Sequence, residues 1–185
     1  MPDDYQPSES FSLPFEAIID SFRKEAEENA SSVVAIDAAT GELLWTSADA
    51  LTQYNAPQLV QTAVGPCALH ARGGPHDVPE RPVGVSLTRL TGEHAGEAVW
   101  RHDDPRGNHE GALQTMAHDE RFAYWVLREP RSALVVLDLA TGKLRWKLQA
   151  EGEIKSSPAV DQGVVYFGDE KGVFHAVDAG TGKPL

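Results

Sequence analysis

The sequence predicts an all-β fold, a partial β-propeller of four-stranded antiparallel blades preceded by an N-terminal amphipathic helix. Three observations predict it. First, the stretch LVVLDLATGKLRW, Leu134 to Trp146, recurs as VVAIDAATGELLW at Val33 to Trp45 and as VFHAVDAGTGKPL at Val173 to Leu185, with an eroded copy, LTGEHAGEAVW, at Leu90 to Trp100. Second, Trp45, Trp100 and Trp146 stand 55 and 46 residues apart, and Gly142 and Gly182 stand 40 apart. A four-stranded propeller blade repeats every 40 to 45 residues or so. Third, each copy reads as an apolar strand, a turn and an outgoing strand, and stacking such small sheets radially limits their exposed edges.

Local chemistry explains each copy. Val33, Ala35 and Asp37 fall on one side of a period-2 strand and Val34 and Ile36 on the other; Leu134 to Leu137 repeats the pattern. Both sides are apolar, which predicts a strand lying between packed layers. Asp37 opens the turn, where a short carboxylate accepts hydrogen bonds from N–H groups just downstream, and Gly41 supplies a position that tolerates positive φ. Asp138 with Gly142, and Asp178 with Gly182, repeat that chemistry. Trp45 and Trp146 follow their glycines by four residues, and an indole at a fixed place in each unit reads as packing between neighbouring units. An aspartate that recurs at three of the four turns reads as structural, not catalytic.

Taken in order, residues 1 to 30 form an extension and residues 31 to 185 the repeats. Met1 to Phe11 is polar and proline-bearing, and mobility is expected there. Ser12 and Pro14 signal a helix start, and Phe15, Ile18, Ile19, Phe22 and Ala26 then share one face of a helix over Leu13 to Asn29. A structural cap on the adjoining sheet is favoured over a docking helix, and the acidic opposite face counts against membrane adsorption. The first copy supplies the last two strands of a unit. A strand pair turning at Gly65-Pro66 follows, then a surface loop at Ala71 to Pro82. Next comes Val83 to Trp100, whose turn is lengthened and lacks the aspartate, so this unit is expected to be the least regular. A complete four-strand unit is predicted over Gly111 to Leu148. The last unit has strands near Ser157 to Val160, Val164 to Gly168 and Val173 to Asp178, with tight hairpins at Gln162-Gly163 and Lys171-Gly172.

Composition narrows the function classes. A formal net charge of −12 disfavours nucleic acid and anionic membranes as partners, because both require a basic footprint. Cys67 is the single cysteine, which leaves no internal disulfide and no thiolate metal cluster; it reads as a small buried hydrophobe. The amino terminus has no basic segment followed by a long apolar core, so a cytoplasmic location is the default expectation.

The pattern D-x-x-T-G-[KE]-x-x-W, together with SSPAVDQGVVYFGDEKGVFHAVDA, resembles the repeat of the pyrroloquinoline-quinone (PQQ)-type β-propellers. The resemblance runs over Ser31 to Leu185 and is strongest in the last two units. It implies that Asp37, Gly41, Trp45, Trp100, Asp138, Gly142, Trp146, Asp178 and Gly182 form turn-and-tryptophan docking between blades. It also implies two functional groups. Quinoprotein dehydrogenases hold the quinone at the propeller centre, commonly with calcium, a cysteine pair and a catalytic aspartate. The other group binds no quinone and uses the propeller as a docking surface, as in the outer-membrane assembly lipoprotein and sensor domains. One cysteine and no placeable quinone or ion ligand favour the second group, with no cofactor, no catalytic residue and no metal assigned. The expected function is a non-catalytic interaction or scaffold module with a protein partner. The alternatives are a fragment of a quinone-dependent alcohol or sugar dehydrogenase, and a small-ligand sensor.

Two polar clusters gather metal-ligating side chain types: His102, Asp103, Asp104, His109 and Glu110, and His118, Asp119 and Glu120. Neither spacing matches a ligand pattern. His175 alternates with apolar neighbours and reads as a core or inter-blade histidine. Closure has three solutions: pairing of the first copy with the last unit, a fragment of a longer propeller, or an open arc that self-associates through blade edges. The fragment is favoured.

Overall fold

A computed structural model of the chain describes residues 33–47, 56–73, 83–104, 115–128 and 132–185. The predicted helix over Leu13 to Asn29 lies outside these residues, as do His109 and Glu110. The described part is all-β, and its thirteen strands form four antiparallel sheets in chain order. Sheet I is β1 (Val34–Ile36) and β2 (Leu43–Thr46). Sheet II is β3 (Gln58–Thr62), β4 (Gly65–Arg72), β5 (Val83–Arg89) and β6 (Ala98–Asp104). Sheet III is β7 (Ala117–His118), β8 (Phe122–Leu127), β9 (Ala133–Asp138) and β10 (Leu144–Gln149). Sheet IV is β11 (Ala159–Asp161), β12 (Val164–Gly168) and β13 (Phe174–Asp178). Strands within each sheet follow chain order, so hydrogen-bonded neighbours are consecutive and antiparallel. A bridge between Val177 and Pro184 begins a fourth strand on sheet IV.

Two apolar layers join the sheets. Leu69, Val85, Leu87 and Trp100 of sheet II pack against Trp125, Val135 and Leu137 of sheet III. On the other side of sheet III, Tyr124, Val126, Leu134 and Val136 meet Val165, Phe167 and Val177 of sheet IV. Consecutive residues of β9 therefore serve opposite layers. That is the consequence of period-2 side-chain alternation in a strand covered on both sides.

A bulge sits at the same place in three hairpins. Ala35 faces Trp45 while Ile36 faces Leu43, so Leu44 is the extra residue. Val136 faces Trp146 while Leu137 faces Leu144, leaving Arg145 extra; Leu87 faces Trp100 while Thr88 faces Ala98, leaving Val99 extra. Neighbouring residues of the inner strand point to opposite faces, so one extra residue before each tryptophan turns its ring toward the next sheet in the chain.

Several expectations change. The strand pair of sheet II turns at Ala63 and Val64, and Gly65-Pro66 lies inside β4 opposite Thr62 and Gln61. Thr62 fixes that turn, its hydroxyl accepting from the Val64 N–H and donating to the Gly65 carbonyl. Pro66 stands near the strand start, where a missing N–H is tolerated. The unit with the eroded copy is a complete four-stranded sheet carrying the same bulge as the others, because backbone pairing does not depend on the turn aspartate. The first copy is not covered on both sides: Val34 and Ile36 are 53% and 58% exposed, since sheet I has a described neighbour on one face only. Of the predicted tight hairpins, Gln162-Gly163 is one, with φ of 47° and 78°. The other is a longer loop, 169–173, organised by Asp169. Among the described residues β1 and β2 pair with each other and not with sheet IV.

Candidate functional site

The recurrent residues build turns first. Asp37 Oδ1 accepts from the N–H groups of Ala39 and Thr40 at 2.9 and 2.8 Å and from the Thr40 hydroxyl. Asp138 Oδ1 takes the Thr141 N–H and hydroxyl at 3.0 and 2.8 Å. Asp178 Oδ1 takes those of Thr181 at 2.8 and 2.6 Å. The N–H of the turn glycine then donates to the aspartate's own carbonyl at 2.8 Å in all three turns. Hydrogen bonds to an ionised carboxylate favour its charged form. The Thr40 N–H is the main reason that Asp37 lies below its ordinary value, and the Thr181 hydroxyl that Asp178 does. The turns leave these carboxylates committed to the backbone.

Each indole then lies on a glycine of the following unit. A Cβ added to Gly142 would fall 2.5 Å from Trp100 Cε3, one on Gly182 would fall 2.8 Å from Trp146, and one on Gly96 3.1 Å from Trp45. Trp100 Nε1 donates to the Leu139 carbonyl at 2.8 Å and Trp146 Nε1 to the Ala179 carbonyl at 2.9 Å. In both cases the acceptor stands three residues before the glycine. Of the nine residues singled out in the sequence, Trp45, Trp100, Gly142, Trp146 and Gly182 make contacts between units, whereas Asp37, Asp138 and Asp178 bond within their own turns. Gly41 receives no indole and is exposed. Gly96 was missed, although it precedes Trp100 by the same four residues that separate Gly41 from Trp45.

Sequence reasoning also missed a polar layer on sheet II. His70, Arg72, Ser86 and Thr88 are buried on one face of β4 and β5, and His70 Nε2 is 2.9 Å from the Thr88 hydroxyl. The Arg72 guanidinium crosses over Gly84 to pair with Asp103 on β6. A Cβ at Gly84 would lie 2.5 Å from Arg72 Nη2 and 2.6 Å from Asp103 Oδ1, so the glycine is what lets the pair span an intervening strand. On the same β6, Asp104 pairs with Lys147 of β10 at 3.3 Å, joining sheets II and III. Burial outweighs the neighbouring carboxylates at His102 and lowers its pKa. No three His, Cys, Asp or Glu side chains converge as a metal site among the described residues.

Asp119 and Asp169 each organise a turn of their own. Asp119 Oδ1 accepts from the N–H groups of Arg121 and Phe122, and its Oδ2 accepts from the Tyr124 hydroxyl at 2.6 Å. Asp169 accepts from the N–H groups of Lys171 and Val173, and its Oδ2 lies 3.0 Å from His175 Nε2. The His175 ring stacks on Phe167 with centroids 4.5 Å apart. That contact to His175 is the first cause holding Asp169 below its ordinary value. Cys67 is buried.

Between sheets II and III a cavity of about 230 Å³ opens on one rim, lined by Gln61, Thr62, Ala63, Val64, Leu87, Val99, Glu120, Leu139 and Ala140. Val64 on its lip is 45% exposed.

Four-stranded sheets stacked through an indole-on-glycine contact define the class as a PQQ-like β-propeller repeat protein. The family described as outer membrane protein assembly factor BamB matches residues 85–185, and the chain belongs to that family. Among solved structures the chain is similar to a europium-containing methanol dehydrogenase, at 19% identity and a TM-score of 0.58, over 78% of this chain and 26% of that one. It is also similar to the quinohemoprotein alcohol dehydrogenase ADHIIG of Pseudomonas putida HK5, at 20% identity and 0.51, over 71% and 19%. BamB from Moraxella catarrhalis aligns at 17% identity and 0.47, over 69% and 34%. The chain spans about a third or less of the length of these structures, and the likeness at such identities is one of fold. No curated protein matches the chain.

Proposed function

We propose that this chain is part of a non-catalytic propeller that holds a protein partner at the rim between sheets II and III. The observation that carries the reading is the apolar cavity there, with Ala63, Val64, Leu87, Val99 and Leu139 around it and Glu120 at its edge. It has room for one bulky apolar side chain. The net charge of −12 favours a partner segment with basic residues around that anchor. The family's description as an assembly factor supports a docking role. So does the commitment of the recurrent aspartates to their turns, which leaves them no part in chemistry.

A photoreactive residue at Val64 is expected to crosslink one discrete protein in cells, and the same group at the exposed Glu93 is not. Equal labelling from both positions would count against the rim. Titration with pyrroloquinoline quinone and calcium is the second arm. Saturable binding with dye-linked alcohol oxidation would replace the docking reading by the dehydrogenase one.

A further inference from the structure

Three positions of sheet III depart together from the pattern of its neighbours. Phe122 pairs with Asp138, Arg121 precedes it, and Arg145 is the bulged residue before Trp146. The same pairing places Pro66, Cys67 and Val99 at these positions in sheet II, and Gly163 and Val164 at the first two in sheet IV. The repeat therefore builds its sheets with neither charge nor aromatic ring there. In sheet III both guanidinium carbons stand over the Phe122 ring, 4.6 and 5.6 Å from its centroid. The ring is buried and both arginines are exposed, so attraction to one aromatic face holds two cationic heads close together. Neither guanidinium has an ion-pair partner among the described residues, although Asp and Glu outnumber Lys and Arg by 28 to 16. Asp178, which the Arg121 charge reaches from farther away, keeps its Oδ1 on Thr181.

A cavity of about 270 Å³ is lined by Arg121, Phe122 and Arg145 together with Glu120, Asp138 and Ala140. Glu120 and Ala140 also line the apolar cavity between sheets II and III, so the two cavities share a lip, and the small side chain of Ala140 keeps it low. Asp138 already has its Oδ1 engaged by Thr141. Two cations beside two carboxylates suit a ligand with one negative charge better than a dianion, and a guanidinium offers a carboxylate two parallel N–H donors. We infer that this cavity is a carboxylate site: the partner segment that seats an apolar side chain between sheets II and III sets an aspartate or glutamate between Arg121 and Arg145. The inference rests on the docking reading above and deepens it by fixing a charge pattern. An acidic residue lies on the Phe122 side of Ala140, and basic residues lie elsewhere around the anchor. On a chain of net charge −12 an acidic residue is disfavoured over most of the surface, so the arginine pair separates this partner from segments that are merely basic.

The test uses the full chain in cells with the photoreactive residue at Val64, and sequences the crosslinked segment. That segment is expected to contain an aspartate or glutamate. Arg121→Glu with Arg145→Glu is expected to lower the crosslink about tenfold. Arg101→Glu with Lys183→Glu, an equal change of charge at two exposed positions, is expected to leave it unchanged. The segment is then made as a fluorescent peptide. Replacing its acidic residue by lysine is expected to weaken binding to the unaltered chain, an arm that needs no altered protein, and to restore binding to the chain with both arginines reversed. A crosslink that survives the reversal at full strength, a segment without an acidic residue, a peptide indifferent to the lysine or a failed restoration would overturn the carboxylate site and leave the docking reading standing. No crosslink from Val64 would overturn both.

Discussion

The indole of Trp100 lies across Gly142 with so little clearance that a Cβ on the glycine would fall 2.5 Å from the ring. The backbone there has φ of 69°, so a side chain meets strain and collision together. Gly142→Ala is expected to cost about 2–4 kcal/mol, about 1 from the positive φ and the rest from overpacking. Gly92→Ala has the strain without the collision and should cost about 1 kcal/mol. Urea midpoints of the two variants compare them directly, and equal losses would mean that the ring yields freely.

The Trp100 hydrogen bond can be removed without emptying its seat. Trp100→Phe keeps an aromatic ring but leaves the Leu139 carbonyl without its donor in a largely buried position. A loss of about 1–3 kcal/mol is expected. Denaturant unfolding measures it, and a neutral result would show that water replaces the indole N–H.

Leu137→Ala and Ile36→Ala alter corresponding positions of two copies of one motif. Leu137 is fully buried and Ile36 is 58% exposed. The first substitution should cost about 2–5 kcal/mol through its cavity and the second less than about 0.5. Thermal unfolding of the chain by itself ranks them.

The turn aspartates predict acid sensitivity with a definite sign. Asp37 and Asp178 have folded pKa values below the ordinary 3.8. Their contribution is fully present above that value and is lost as pH falls through the lower folded values. Stability should therefore hold between pH 7 and 5 as far as these groups are concerned, and fall below about pH 4. Asp178→Asn should show a smaller drop between pH 5 and 3 than the unaltered chain when urea midpoints are taken at each pH.

His102 acts in a different window. Burial lowers its pKa from 6.5, so the folded state resists a proton that the unfolded state accepts. Its contribution is present above 6.5 and declines as pH drops through the folded value. His102→Gln should flatten the dependence of stability on pH between 7 and 5, measured by the same denaturation series.

The interior of each unit was legible because its causes are local. The Asp138 carboxylate reaches the Thr141 N–H and hydroxyl only three residues away, and Gln162-Gly163 needs nothing beyond its own backbone preference to close a hairpin. The Gly65-Pro66 turn was misplaced because glycine and proline mark turns and strand starts alike. The choice fell to Thr62, whose hydroxyl secures Ala63-Val64 instead. The second unit looked eroded because its aspartate is missing, yet its strands pair fully, since ladder hydrogen bonds come from the backbone.

Sequence alone determined that this chain is a series of strand, turn and strand units with an aspartate, a glycine and a tryptophan in fixed places. Those assignments rest on interactions within about a dozen residues. Only the tertiary structure decided that Trp100 belongs to Gly142 and not to its own Gly96, that Arg72 reaches Asp103 over Gly84, and that Ile36 lies bare while Leu137 is sealed. Each of these depends on which sheet stands beside which and on the face a single bulged residue turns inward. Contacts between residues thirty to fifty positions apart leave no periodicity in the chain from which they could be read.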